Sequence, residues 1–83
     1  MKAKLFYGNK NHILIYDNND DCYLQSYAKM IAVQRQDGSI ELDQKYYNFS
    51  RMTAKFRNYF LNEKTKDTEK KIKSGVYKLV DLN

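Results

Sequence analysis

Three groups of residues in this 83-residue chain could do chemistry: the single His12, the single Cys22, and the carboxylates of the run Asp17-Asn18-Asn19-Asp20-Asp21. A catalytic thiolate needs an adjacent base or cation to lower its pKa. His12 and Cys22 fall in different expected strands, and no spacing pairs them, so each reads as a packing or surface residue. Asp17, Asn19 and Asp21 offer oxygens at alternate positions, as the start of an EF-hand loop does. The likeness then fails, because the sharp-turn glycine would fall at Cys22 and the bidentate glutamate at Ala28. Asx side chains favour turns through their own local hydrogen bonds, so this run is expected to be a turn without a calcium site. With no convergent acid, base and nucleophile, the chain reads as a non-enzyme, and no cofactor or metal is expected.

Charge placement is more informative. Residues 1–50 hold six Lys/Arg and six Asp/Glu, whereas residues 51–83 hold nine and four, so the whole net charge of +5 lies in the second part. Such asymmetry suits an anionic partner, either nucleic acid or an acidic protein surface. The alternative is a solvated Lys-rich face that only keeps the protein soluble. The candidate partner-binding residues are Arg51, Lys55, Arg57, Lys70, Lys71 and Lys73, with Tyr47 as the aromatic contact. A positive chain is a poor acidic mimic of DNA.

Length allows one domain, residues 1–83, with one modest core. Eight Tyr and four Phe make that core aromatic and exclude a disordered polar tract. No run approaches the roughly 20 apolar residues that span a bilayer, and no leader precedes Tyr16. A lone cysteine fits a reducing compartment, so the expectation is a soluble, cytoplasmic protein. High Lys and Asn with no Pro or Trp suggests a low-GC bacterial or viral source.

The elements that must carry these residues follow from pattern. Residues 4–7 and 12–16 read as a first hairpin joined by the turn formers Gly8 to Asn11, with His12 at a strand edge. Residues 22–27 form a strand that leads straight into 29–36. Asp37-Gly38 is the signature of a two-residue type I′ turn. That turn pairs Arg35 with Ile40, Gln34 with Glu41 and Val33 with Leu42, placing Ile31, Val33, Ile40 and Leu42 on the core face.

Tyr46 and Tyr47 are adjacent in an extended link, so they point to opposite sides. Ser50 is the expected N-cap of an amphipathic helix over 50–62. Its apolar stripe of Met52, Phe56, Tyr59, Phe60 and Leu61 packs on the sheet, leaving Arg51, Lys55, Arg57, Asn58 and Lys64 wet. Residues 65–74 form a weak helix with Asp67 as a cap, and 76–82 return as a last strand. The fold class is α+β: a mostly antiparallel sheet of about four to six strands with one main amphipathic helix packed on one face.

Quoted in order, Ser26-Tyr27, Ile31-Ala32, Asp37-Gly38-Ser39-Ile40, Tyr46-Tyr47, Phe49-Ser50, Thr53-Ala54-Lys55 and Phe60-Leu61 make the chain similar to a loose group of small bacteriophage accessory proteins. The resemblance covers under half of the chain and carries no catalytic or binding residue. It implies an accessory role, and phage proteins of this size often inhibit host machinery, including CRISPR and other defence complexes. The expected function is therefore non-enzymatic docking on a host protein or ribonucleoprotein, an anti-CRISPR-like inhibition. The alternative is a small RNA- or DNA-binding module using the basic second part. Edge strands could pair between chains, leaving a homodimer open.

Overall fold

The computed structural model describes residues 2–83. It is an α+β fold whose elements run β1 (Lys2–Phe6), β2 (Asn9–Tyr16), β3 (Cys22–Ser26), β4 (Lys29–Gln34), β5 (Ile40–Asp43), α1 (Arg51–Leu61), α2 (Thr65–Lys73) and β6 (Lys78–Val80). The six strands lie in sequence order, β1 to β5 as an antiparallel meander and β6 parallel to β5. A parallel partner needs a crossover, and the two helices supply it.

The meander is built by tight turns more than by loops. Tyr7 and Gly8 both have positive φ, 54° and 67°, and Phe6 pairs with Asn9, so they form a two-residue type I′ turn. The expected loop over 8–11 is thus a turn at 7–8, and β2 begins earlier than its β-prone residues suggest. Ser26 pairs with Lys29 across a second two-residue turn, in which Tyr27 sits at φ 59°. The chain reverses there instead of running straight from strand to strand. The Asx run behaves as its local chemistry predicts, with Asp17 Oδ1 accepting from the N–H groups of Asn19 and Asp21.

The Asp-Gly hairpin exists with a register one residue away from expectation. Arg35 N–H donates to Ser39 O at 2.8 Å and Gly38 N–H to Arg35 O at 2.9 Å, leaving Gln36, Asp37 and Gly38 as a three-residue loop. Gly38 takes the left-handed position at φ 90°, and the Asp37 carboxylate accepts from Ser39 N–H. Ala32 therefore pairs with Leu42, Val33 with Glu41 and Gln34 with Ile40.

A one-residue slip should expose the apolar set, but a bulge compensates. Leu24 pairs with Ala32 and Gln25 with Met30, so Ile31 is an extra residue and joins Ala32 in the core. Val33 turns to the other face of the sheet. One row of partners crosses all six strands: Lys4, Leu14, Leu24, Ala32, Leu42 and Leu79. The core forms between this face and the helices from Leu14, Leu24, Ile31, Ala32, Leu42 and Tyr77, with Phe60, Leu61 and Ile72 packed against it.

Helix α1 begins where Ser50 Oγ accepts from Thr53 N–H and ends where Asn62 enters the left-handed region at φ 55°. Its buried stripe is Thr53, Phe56 and Arg57, continued by Phe60 and Leu61. Met52 and Tyr59, expected inside, are exposed. In α2, Asp67 stands at the third helical position and accepts from Lys64 N–H at 3.3 Å. The basic residues Lys70, Lys71 and Lys73 occupy its last turn, where the helix dipole favours them.

Candidate interaction surface

The rotation of α1 redistributes the basic residues that the sequence groups together. Arg57, expected in solvent, is fully buried. Its Nη1 donates to Tyr47 O at 2.8 Å and Asn48 Oδ1 at 3.1 Å, and its Nη2 to Asn58 Oδ1 at 3.1 Å and Thr65 Oγ1 at 3.0 Å. The guanidinium is thus a strut joining the link before α1 to the start of α2. Burial pushes its pKa down, and Glu69, Tyr47 and Glu63 oppose that shift. It is removed from the candidate contact set because no partner can reach it.

Lys71 is also engaged, with its Nζ 2.6 Å from Glu63 Oε1. Glu63 further accepts from Thr68 Oγ1 at 2.6 Å and Tyr77 OH at 2.9 Å, which makes it the hub between α1, α2 and the approach to β6. Tyr47 is half-buried, its hydroxyl 3.4 Å from Glu69 and its ring beside Arg57. The link is a turn tied down by Asp43, whose Oδ2 accepts from Lys45 and Tyr46 N–H. Tyr46 and Tyr47 therefore both pack on the core, where an extended link would have buried one. Arg51, Lys55, Lys70 and Lys73 stay exposed, two on each helix.

What the fold does assemble is an aromatic surface at the turn-bearing end of the sheet. Tyr7, 71% exposed at the tip of the first hairpin, lies 4.8 Å from Tyr59 of α1 by ring centroids. Tyr59 contacts Phe56 at 5.5 Å, Phe56 stacks on His12 at 3.8 Å and 15°, and His12 meets Tyr27 at 5.3 Å. The chain of rings starts and ends in solvent, at Tyr7 and at Tyr27, which is 46% exposed, and Tyr59 between them is 43% exposed. Lys55 Nζ stands 6.0 Å over the Tyr59 ring, and Arg51, Lys55 and Tyr59 follow one another on successive turns of α1. The signal for this surface was present in spacing: Tyr7-Gly8 and Tyr27-Ala28 are dipeptides between β-prone runs.

Beneath the rings runs a buried polar relay. His12 Nδ1 is 3.2 Å from Asn9 Oδ1 and Nε2 is 3.0 Å from Ser26 Oγ. Ser26 Oγ is 2.9 Å from Thr53 Oγ1, which accepts from Ser50 Oγ at 3.0 Å. Burial lowers the His12 pKa, and a neutral ring donating from Nδ1 and accepting at Nε2 fits both neighbours. The order Ser26, His12, Asn9 has the spacing of a nucleophile, base and orienting group. Ser26 and His12 are both fully buried, and Thr53 occupies the far side of the serine hydroxyl, so the relay fastens α1 to the sheet. His12, expected at a strand edge, is one of its central links.

Residues 1–75 match a family model described as a family of unknown function, DUF8033. The chain belongs to that family. No curated protein and no solved structure matches it. The matched span takes in the meander and both helices and stops short of β6, so the DUF8033 region contains the whole aromatic surface and the relay beneath it.

Elsewhere the chemistry is quiet. Burial raises the Cys22 pKa, keeping its thiol protonated, although Tyr16 and Lys4 pull the other way. Among the described residues no group of three or more His, Cys, Asp or Glu could hold a metal ion. A polar cleft of about 360 Å³ lies between Lys29, Asp43, Tyr46 and Asn83, but both Asp43 oxygens already accept backbone N–H groups. Among the described residues no helix is long and apolar enough to cross a membrane.

Proposed function

We propose that this protein is a non-enzymatic binding module that docks on a host protein or ribonucleoprotein through Tyr7, Tyr27 and Tyr59, with Arg51 and Lys55 at the border. The observation that carries the reading is the backbone under two of these rings. Tyr7 and Tyr27 hold positive φ at exposed turn tips, a conformation that costs a bulky residue on the order of 1–3 kcal/mol and that glycine or asparagine adopts more cheaply. Large rings kept there, braced by Tyr59, Phe56 and His12, are preorganised as tyrosine hot spots are. The similarity to phage accessory proteins makes a bacterial defence complex, in an anti-CRISPR-like inhibition, the target class within this reading.

A nucleic-acid-binding reading is favoured by one specific observation, the Lys55 ammonium over an exposed tyrosine, since cations and stacking rings together bind single strands. Both readings are tested by affinity capture from bacterial lysate with and without nuclease, using the native chain and a Tyr7→Asn/Tyr59→Ala variant. Asparagine accepts positive φ, so the turn survives while the ring is lost. A protein partner that survives nuclease and is lost by the variant supports docking. Loss of all partners on nuclease treatment moves the function to nucleic acid, and retention of every partner by the variant refutes the aromatic surface.

A further inference from the structure

Among the described residues, no helix packs on the second face of the sheet. Both helices lie on the side of Leu14, Leu24 and Ser26, where Thr53 and Ile72 reach the core. By register, Leu5, Ile13 and Met30 share the opposite face with Ile15, Tyr23 and Val33, and the core cluster contains none of these six. Leu5 is 52% exposed, Ile13, Ile15, Tyr23 and Met30 are half-buried, and Val33 is fully buried among its neighbours, where Arg35 lies over the Tyr23 ring and Asn83 meets Met30. Four strands about 4.8 Å apart and about five residues deep frame a field on the order of 300 Å² in projection. The largest apolar patch on a typical monomer is about that size and is often functional.

We propose that this face binds a second copy of the same chain, pairing the two sheets face to face with the helices outward. Charge selects the occupant. Arg35 pairs with Asp21 and Glu41, and Lys78 lies beside Glu41 in the ladder, so these four border residues sum to zero in a chain of net +5. Two copies meeting here bring no net charge together, and the exposed Arg51, Lys55, Lys70 and Lys73 of each point away from the contact. A bilayer on this face would leave the same cations on the side remote from its headgroups, and an anionic macromolecule would find no net positive charge. The free edge at β1 is a poorer route to a dimer, because Lys2 and Lys4 stand on that strand. A twofold contact satisfies the face with itself, and aligned sheets pack about 10 Å apart.

The field is smaller than a permanent interface requires, so the dimer is a weak, reversible one. The test is sedimentation equilibrium of the full chain from low micromolar to near-millimolar concentration. The mass should rise from 9.9 kDa toward twice that value. Ile13→Lys/Ile15→Lys should weaken self-association by a factor on the order of 100, since it removes apolar burial from both copies. Should that pair fail to fold by circular dichroism, Ala3→Glu, exposed in the row of Ile15, Tyr23 and Val33, takes its place. A mass fixed at 9.9 kDa throughout overturns the proposal, whatever else binds the face. So does a dimer that a folded face variant leaves intact.

Discussion

Replacing Arg57 by alanine should unfold the protein far more readily than replacing any exposed cation of the same helix. The guanidinium makes four hydrogen bonds, and among the described residues its Nε has no partner. Asn48 is exposed and Asn58 half-buried, so their amide oxygens regain water when the arginine goes. Tyr47 O and Thr65 Oγ1 lose charge-assisted donors, each worth about 1.5–3 kcal/mol, although Thr65 Oγ1 keeps the Asn58 Nδ2 donor at 3.2 Å. Removing an unpaired, desolvated charge returns part of that, leaving a net loss of about 3 kcal/mol. For a domain this small the loss lowers Tm by on the order of 15 °C. Urea and thermal unfolding followed by circular dichroism read it directly, with Lys55→Ala as a control expected to stay within about 0.5 kcal/mol. If Arg57→Ala matched Lys55→Ala, the guanidinium would not be the strut described above. Arg57→Lys should fall between, because one ammonium cannot reach both the link and the start of α2.

Three further outcomes follow from the same geometry. The folded His12 pKa lies below its ordinary value of 6.5 because burial disfavours the cation. The unfolded chain therefore takes up the proton first, and stability that is complete above about pH 6.5 is lost as pH falls through that value toward the folded pKa. Unfolding titrations should show this slope in the native protein and lose it in His12→Gln. Thr53→Val keeps the shape of the relay but removes the hydroxyl shared by Ser26 and Ser50, and should cost about 1–2 kcal/mol in urea unfolding. At Gly38, φ is 90° and an added Cβ meets nothing within 4 Å, so Gly38→Ala should cost about 1 kcal/mol through backbone strain alone, again by urea unfolding.

Much of the architecture was legible in local chemistry. Asp37-Gly38 announced a hairpin, Ser50 and Asn62 stand at the two ends of α1, and alternation marked the meander. The register was not legible, because a glycine in the left-handed region serves both two- and three-residue loops and the bulge at Ile31 leaves no sequence mark. The face of α1 was misread for a different reason. Thr53 and Arg57 are polar residues at core positions, satisfied by the relay and by the strut, and a hydrophobic period cannot detect them. Rotating the helix to bury them turns Met52 and Tyr59 outward. The basic set split with it: Arg57 became interior, Lys71 was taken by Glu63, and Tyr7 and Tyr27, read as the last residues of strands, stood on turns.

The parallel docking of β6 bears on how the molecule assembles in time. The meander from β1 to β5 closes through neighbouring turns, whereas β6 must wait for both helices before Glu41 can pair with Lys78. Leu82 N–H reaches Asp43 across 39 residues, and Asn83 meets Met30 across 53. Loop-closure entropy places such contacts late in folding. Residues 78–83 then act as a kinetic latch: weakening them should speed unfolding and hardly slow refolding. Until they dock, the β5 edge and the carboxylate of Asp43 remain open, so a chain emerging from the ribosome presents an unfinished sheet edge for about as long as it takes to synthesise both helices.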